Sequence, residues 1–507
     1  MERRFGEIMA RQQKIIEEQA ALIAQIRVEQ QARVQTLETR VAGLTRELFG
    51  RKSEKIKIPP VERDQDAAEP PDEHELARRR EAAERKRRER ALARGASLEQ
   101  QEVEHPVPDD MKTCPKCGGT AFTEMPPETS ATIDYVPGRF VRRRHRRQKL
   151  ACRCGDCIVT APAPKLVNGG HYGPGFAAFL VVEKCADSIP IYRIEKRMLR
   201  LGIPISRATM NDLLHTAAEI VRPLVARLAQ RIANVEIVLA DETSMRIQDR
   251  TKKGFVWVFH GRDDAGSGGE LVLYVFATDR SGATPAKILG GSQGTLVADG
   301  YTGYNIIEDP DERVRGGCWC HARRKAFEAL ATAPVEAQYM IDELRKVFRV
   351  EHEATVRRIV GTHEHLALRR QQSKPIIDKL FEWLIATQPT VLPKSPIAAA
   401  IGYTINQRER LELFLRDARV PMHNNASERR LRVIALGRKN FLFVGHPRAG
   451  RNLAGLYSLV GSCIANGVEP TAYLTDVLMR VRDAETDDDL DALLPDRWAS
   501  RSASRAA

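Results

Sequence analysis

Two predicted strands each end in acidic residues. A short apolar run over residues 235–240 ends at Asp241 and Glu242, and a second, over residues 294–298, ends at Asp299 in a glycine-rich turn. A lone aspartate after a strand is most often a turn residue. Two strands that carry acids to the same end, however, fit a site for Mg²⁺, which takes hard oxygen ligands and is usually bound through one or two carboxylates.

A third carboxylate, Glu428, lies far downstream in basic surroundings. It falls in the first turn of a predicted helix, for which Asn424 or Asn425 provides the N-cap. A glutamate in that position usually complements the helix macrodipole. From residue 428 to residue 451, however, Glu428 is the single acid among seven basic residues, which favour phosphate. The seven are Arg429, Arg430, Arg432, Arg438, Lys439, Arg448 and Arg451.

The three acids belong to five ordered motifs that resemble those of the insertion-sequence-66 transposases, a branch of the DDE transposases. The resemblance runs from about residue 35 to residue 480. The motifs are Asp241-Glu242-Thr243, Asp299-Gly300-Tyr301, Gly317-Cys318-x-x-His321-Ala322-Arg323-Arg324, Asn424-Asn425-x-x-Glu428-Arg429 and Gly437-Arg438-Lys439-Asn440.

This resemblance implies a DNA transposase that binds the terminal repeats of its element and a target DNA. Asp241, Asp299 and Glu428 would hold Mg²⁺ or Mn²⁺ for DNA cleavage and strand transfer without a covalent protein intermediate. Glu242 remains a rival ligand because it stands beside Asp241. Arg323, Arg324 and Lys325, which follow His321, are expected to face phosphate. The resemblance further implies that accessory proteins encoded by the same element take part.

Two other functions share most of these features. One is a non-catalytic, zinc-dependent DNA-binding regulator derived from a transposase, and the other is a metal nuclease without strand transfer. The regulator would lack a working acid triad. All three acids are present, which favours the transposase.

Two pairs of closely spaced cysteines predict a Zn²⁺ site, because two tight turns can supply the four soft ligands of a tetrahedral ion. The expected ligands are Cys114, Cys117, Cys154 and Cys157, and Cys152 competes with Cys154. A strip of seven cations between the pairs is a candidate DNA-backbone contact. It consists of Arg139, Arg142, Arg143, Arg144, Arg146, Arg147 and Lys149.

A further Cys-Trp-Cys-His segment over Cys318, Cys320 and His321 offers three zinc-type side chains. No fourth ligand is evident nearby, so a structural zinc is the weaker interpretation. The family resemblance instead makes Cys318 and His321 a signature that lies behind the active site.

The composition bounds the class of protein. A length of 507 residues indicates several domains, since single cores stop growing at about 250 to 300 residues. A net charge of +13 and a pI near 9.4 favour an anionic partner, either nucleic acid or a membrane surface. No apolar run approaches the roughly 20 residues that cross a bilayer, and no signal-peptide core is present, so we expect a cytoplasmic protein associated with the nucleoid.

The expected fold is multidomain α/β, and a heptad over residues 8–48 predicts an N-terminal coiled coil that makes a homo-oligomer. The alternative is a helix that packs on its own chain. The expected segments are coiled coil 1–50, charged linker 51–110, zinc-binding domain 111–165, helical domain 170–233, catalytic domain 234–465 with a helical insertion at about 322–415, and C-terminal helix with acidic tail 466–507.

Within the helical domain, the turn at 201–206 resembles that of a helix-turn-helix, with Ser206 as the cap of a helix that runs to Ala233. An ordinary helical linker domain is the alternative. In the catalytic domain, strands at 235–240, 254–260 and 270–277 with short loops predict an antiparallel meander. A helix at 283–289 then lets the fourth strand lie parallel to the first. From the family resemblance we expect a ribonuclease-H-like fold.

Overall fold

The computed structural model describes residues 170–498 except 249–252 and 265, and before them only residues 81, 85, 140–144, 148–151, 158–160 and 166. The predicted coiled coil and all four predicted zinc ligands lie outside these residues. The chain divides into two compact units, residues 51–159 and residues 1–50 with 160–507. A small two-stranded sheet is formed by β1 (Lys149–Ala151) and β2 (Ile158–Thr160).

Within residues 170–233, four helices precede the main sheet. They are α1 (Pro174–Cys185), α2 (Ile191–Arg200), α3 (Arg207–Ile220) and α4 (Arg222–Ala233). The Ser206 hydroxyl accepts the N–H of Thr209 at 3.1 Å, which confirms the predicted cap. The single helix expected from Ser206 to Ala233 is wrong, because Pro223 stands in the first turn of α4, where a proline starts a helix but cannot continue one.

The main sheet has five strands in the order β5-β4-β3-β6-β7. They are β3 (Ile237–Met245), β4 (Gly254–Arg262), β5 (Glu270–Ala277), β6 (Gly294–Val297) and β7 (Arg313–Gly316), with α5 (Ala283–Leu289) between β5 and β6. The first three strands are antiparallel and β6 runs parallel to β3, which confirms the predicted meander and crossover. Strand β7, which runs parallel to β6, was not predicted from the sequence.

The missed strand carries a buried arginine. The Arg313 side chain is fully buried and donates to the backbone carbonyls of Ala233 at 3.0 Å and Val235 at 3.1 Å. Burial lowers its pKa to about 10, so it stays charged at neutral pH. Its donors are satisfied by carbonyl oxygens, which is how β7 can be buried despite its polar sequence.

The region after β7 is helical, as expected, and has a core of its own around Trp319, Phe381 and Phe414. Its helices are α6 (Trp319–Ala329), α7 (Pro334–Arg357), α8 (His363–Leu368), α9 (Lys374–Thr387), α10 (Pro396–Asn406) and α11 (Arg408–Leu411). The chain then returns to the sheet through α12 (Asn425–Phe441), α13 (Pro447–Ala465), α14 (Pro470–Arg480) and α15 (Asp487–Leu493).

Helix α13 covers the outer edge of the sheet with polar side chains. Ser458, Ser462 and Asn466 recur every four residues, so they lie on one face of the helix. Each side chain accepts a hydrogen bond from the backbone N–H of one β5 residue and donates one to the C=O of the same residue. Ser458 binds Tyr274, Ser462 binds Val272 and Asn466 binds Glu270. The unpaired backbone groups of the edge strand are thereby satisfied. Among the described residues, no helix has both the length and the apolar character that a membrane crossing requires.

Candidate active site

Asp241 lies on β3 in acidic surroundings. Its Oδ1 accepts the N–H of Glu242 at 2.9 Å, and no basic side chain in the described part of the chain forms an ion pair with it. Burial is the main reason that the pKa of Asp241 rises to about 7. The nearby charges of Glu242, Asp299 and Glu428 raise it further.

The second acid, Asp299, stands level with the first. In the parallel register Leu239 pairs with Val297, and each aspartate lies two residues beyond that pair. The Asp299 Oδ1 accepts the N–H of Tyr301 at 3.0 Å. Backbone pairing therefore positions Asp241 directly and Asp299 through the end of β6.

The third acid, Glu428, is positioned by a helix. Its N–H donates to the carbonyl of Asn424 at 3.2 Å in the first turn of α12. Its Oε1 lies 3.4 Å from Nη2 of Arg324 and 3.7 Å from Nε2 of His321. The side chain is about a quarter exposed (27%), so it remains accessible to a ligand from solvent.

Asn424 fixes the start of that helix to the sheet. It occupies the N-cap position, but its side chain does not cap the helix. Instead its Nδ2 donates to the carbonyl of Ala240 at 3.2 Å, and its backbone N–H contacts Sγ of Cys318 at 3.4 Å. The residue is fully buried. It joins the position next to Asp241 to the helix that carries Glu428.

Cys318 and His321 contact the start of α12 through Asn424 and Glu428 respectively. Burial raises the pKa of the Cys318 thiol well above its usual value. Burial alone would lower the pKa of His321, but the adjacent Cys318 and Asp299 outweigh it, so the pKa is raised. His321 therefore presents a positive charge toward Glu428 more readily than a free histidine would.

The described residues include no group of three or more His, Cys, Asp or Glu side chains close enough to hold a metal ion. This applies to the three acids and to the Cys318–His321 segment alike. Asp299 and Glu428 nevertheless interact electrostatically with Asp241. The weaker interpretation, a structural zinc at Cys318, Cys320 and His321, receives no support.

Glu242 differs sharply from its neighbour Asp241. Its side chain is 1% exposed, and both oxygens accept hydrogen bonds. Arg280 donates through Nε at 2.8 Å and Nη2 at 2.5 Å to Oε1, and the Tyr304 hydroxyl donates to Oε2 at 2.6 Å. The Arg280 guanidinium also lies over the ring of Tyr301, 4.2 Å from its centroid. Glu242 is thus engaged in holding an arginine.

Arg280 and Tyr304 were missed by the sequence analysis. Their partner Glu242 lies 38 and 62 residues away, so no local spacing links them. One signal was available in the sequence. Arg280 follows β5, and because β4 is antiparallel to both β3 and β5, those two strands run in the same direction, so β5 ends on the side of the sheet toward which β3 carries Asp241.

The predicted DNA-binding residues fall into three groups. Arg142, Arg143 and Arg144 are exposed, and Arg146 and Arg147 lie outside the described residues. Around the acids, Arg324, Arg429 and Lys439 are exposed and Arg323 is partly exposed.

Arg438 behaves differently, because its Nη1 donates to Oγ1 of Thr243 at 3.1 Å and to the carbonyl of Ser244. It ties α12 to β3.

Comparison with known families gives three matches along the chain. Residues 169–452 match the model described as Transposase IS66 family, residues 458–495 the IS66 C-terminal element, and residues 111–155 the zinc-finger binding domain of transposase IS66. The last match contains Cys114 and Cys117 and ends between Cys154 and Cys157.

Similar proteins occur in Sinorhizobium fredii. Uncharacterized protein y4hP is 30% identical over 436 residues, which are 79% of this chain and 78% of the relative. Uncharacterized protein y4qI is 31% identical over 78% of this chain and 74% of its own length, and y4jD is 30% identical over 79% and 81%. The family model matches more than half of this chain, so the chain belongs to the IS66 transposase family.

Proposed function

We propose that this protein is a DNA transposase of an insertion sequence, which uses divalent metal ions to cleave element ends and join them to target DNA. The observation that carries the proposal is the parallel register of β3 and β6, which places Asp241 and Asp299 at the same level. Among the described residues neither carboxylate forms a salt bridge, although Asp299 interacts electrostatically with Arg280 and His321. Asp241 is buried among three other acids, which is unfavourable until a cation is present.

The donor set suits Mg²⁺ or Mn²⁺, since carboxylate oxygens are the ligands these ions prefer. Asp241, Asp299 and Glu428 would hold the metal. When bound, it would lower the pKa of an attacking water or 3′-hydroxyl and stabilise the leaving oxygen. Glu428 must give up its contact with Arg324 to serve as a ligand, and that contact is long and partly exposed, so its loss costs little.

Arg280 is proposed to position the DNA phosphate. Two of its five N–H groups bind Glu242, which leaves three without an acceptor among the described residues. The guanidinium is held from one side by Glu242 and from its face by Tyr301, so little freedom is lost on binding phosphate. Glu242 thereby orients Arg280, which supports Asp241 over Glu242 as the metal ligand.

Several finer features belong to the same proposal. The strand order, with three antiparallel strands followed by two parallel ones, supports assigning the sheet to the ribonuclease-H-like class. The zinc-finger match supports a Zn²⁺ site at Cys114, Cys117, Cys154 and Cys157. Oligomerisation through residues 1–50 rests on the heptad alone.

The test is to incubate the purified protein with DNA that carries the ends of its own element, with and without Mg²⁺. We expect cut strands and strands joined to target DNA in the presence of Mg²⁺ only. Cut strands without joined products would indicate a nuclease. Binding without either product would indicate a regulator.

A further inference from the structure

The turn that follows α12 holds a large apolar residue in a conformation that glycine normally takes. Leu442 has a φ of 62° and a ψ of −42°. Across it, the N–H of Phe443 donates to the carbonyl of Phe441 at 2.7 Å. A three-residue turn with these angles is the rare, strained form of the γ-turn. Glycine would adopt it without strain, so the leucine side chain is kept here against a conformational cost.

Backbone hydrogen bonds fix the turn on both sides. Before it, the N–H of Leu442 donates to the carbonyl of Arg438 at 3.1 Å in the last turn of α12. After it, buried Val444 pairs with the segment that follows β3. The N–H of Val444 donates to the carbonyl of Arg246 at 2.9 Å, and its carbonyl accepts the N–H of Gln248 at 2.9 Å. The turn is therefore held in its strained form by its neighbours.

This strained turn presents apolar surface to solvent. Leu442 is 60% exposed and Phe443 is 38% exposed. Packing in the core does not account for a leucine at this position, because most of its side chain lies outside the core. Strained residues persist chiefly where their geometry serves a function. An exposed leucine in such a turn is therefore expected to contact another molecule.

The surroundings of the turn are basic. Arg429, Arg432 and Lys439 are spaced so that they lie on one face of α12, and all three are exposed, as is Arg451 on α13. Within the part of the chain that the structure describes, none of these four forms an ion pair. The sequence from residue 429 to residue 468 contains no aspartate or glutamate. The molecule that covers this face should therefore be an anion, which favours DNA over another protein surface.

We propose that Leu442 is a wedge that enters the base stack of bound DNA at one step, while the cations of α12 hold the phosphates between that step and the cleaved bond. Leucine is among the side chains that unstack a base step and kink a duplex. Leu442 lies 14 residues beyond Glu428, about 20 Å along the helix, which corresponds to about six base pairs of a duplex that follows α12. This inference rests on the proposed function and adds a DNA distortion away from the acids.

The test uses element-end DNA that carries the fluorescent adenine analogue 2-aminopurine at one position at a time. The cleaved bond is first mapped with Mg²⁺, and fluorescence is then measured in the complex without Mg²⁺. Because 2-aminopurine brightens when it is unstacked, we expect a several-fold rise at a single step, about six base pairs from the cleaved bond. A wild-type complex in which no position brightens overturns the inference.

Two variants separate the wedge from a general apolar contact. Leu442→Gly removes the side chain and relieves the strained φ, so it should fold with a melting temperature within a few degrees of wild type and lose the fluorescence rise. Leu436→Ala is the matched control, because Leu436 is 57% exposed on the same face of α12 but lies within the helix. It should keep the rise. A Leu442→Gly variant that keeps the rise contradicts the wedge, and if that variant changes only the sedimentation of the protein, the turn is a contact between protein chains instead.

A mismatch provides a second measurement on the unaltered protein. Unstacking costs less at a mismatched step, so one mismatch at the brightened step should raise the affinity by about fivefold. The same mismatch midway to the cleaved bond should raise it much less, and equal affinities for the two would contradict the inference. If Mg²⁺-dependent cleavage proceeds while both effects are absent, the wedge alone is wrong; if no element end binds, the proposed function fails with it.

Discussion

The two halves of the candidate site are positioned in different ways. Asp241 stands on β3 and Asp299 follows the end of β6; the register of these two strands sets the acids level, and Arg315 donates to the backbone carbonyl of Asp299. Glu428 stands on a helix that is joined to the sheet by side chains, through Asn424 at one end and Arg438 at the other. Backbone pairing holds acids in place whatever their side chains contact, whereas the helix depends on a few particular residues.

The acids of both halves should be highly sensitive to loss of charge. Asp241→Asn and Asp299→Asn keep the shape of the side chain but remove the anionic oxygen, so cleavage should fall by at least about 10²–10³-fold, as for loss of a preorganised charge. Glu428→Gln should behave alike. DNA affinity should be kept, because the basic surfaces carry it. The measurements are strand cleavage and equilibrium binding of the same variants.

Glu242→Gln is the matched control on the same strand. Because Glu242 binds Arg280 and Tyr304, this variant should retain measurable cleavage. If it is inactive while Asp241→Asn still cuts, the ligand on β3 has been misassigned by one residue. If all three triad variants cut, the triad is wrong.

Asn424→Ala should displace Glu428, the acid of the helix half. Loss of the contact to Ala240 frees the start of α12 and leaves a buried carbonyl unsatisfied, which costs about 1–3 kcal/mol of stability. We expect cleavage to fall by about tenfold or more with DNA affinity unchanged, because only the position of Glu428 is affected. The neighbouring Asn425→Ala serves as the control. Equal cleavage by the two variants would show that the Asn424 side chain does not position Glu428.

The adjacent pair Arg438 and Lys439 should separate positioning from DNA binding. Lys439 is exposed, so Lys439→Ala should lower the slope of log affinity against log salt by about one unit. Arg438 is bound to β3, so Arg438→Ala should lower cleavage and thermal stability more than it changes the salt slope. Binding measured from low to moderate salt distinguishes the two. A full unit of slope lost in Arg438→Ala would restore it as a phosphate contact.

The smallest effect concerns a third attachment of α12. Arg430 donates to Glu270 of β5 at 2.6 Å, and His260 lies 3.1 Å from the same oxygen. The His260 hydrogen bond is the main reason that the pKa of Glu270 falls to about 2. A depressed carboxyl pKa stabilises the fold above about pH 4.5, and this contribution is lost as the pH falls toward 2.

Glu270 is partly exposed, so the contribution is about 1 kcal/mol after solvent screening. Glu270→Gln should therefore lower the melting temperature at pH 7 and show a smaller further decline between pH 5 and pH 3. An unchanged melting temperature at pH 7 would show that this attachment is not stabilising. Cleavage should change little in either case.

The sheet half of the site could be predicted from sequence, because apolar runs mark the strands and the acids follow them directly. For the helix half, the sequence motifs predicted which residues take part but not which residues they contact. Glu428 lies 104 positions from Arg324, and Arg280 lies 38 from Glu242, so their contacts depend on the folded chain. Strand β7 was missed because a polar segment is rarely buried unless, as for Arg313, backbone carbonyls satisfy it.

The polar face of α13 has a genetic consequence. Ser458, Ser462 and Asn466 lie in the C-terminal element, and they occupy the hydrogen-bonding groups of an edge strand. A reading frame interrupted upstream of codon 458 would produce a chain whose β5 edge is open to strands from other molecules. We expect such a truncated chain to aggregate and to be removed by proteolysis.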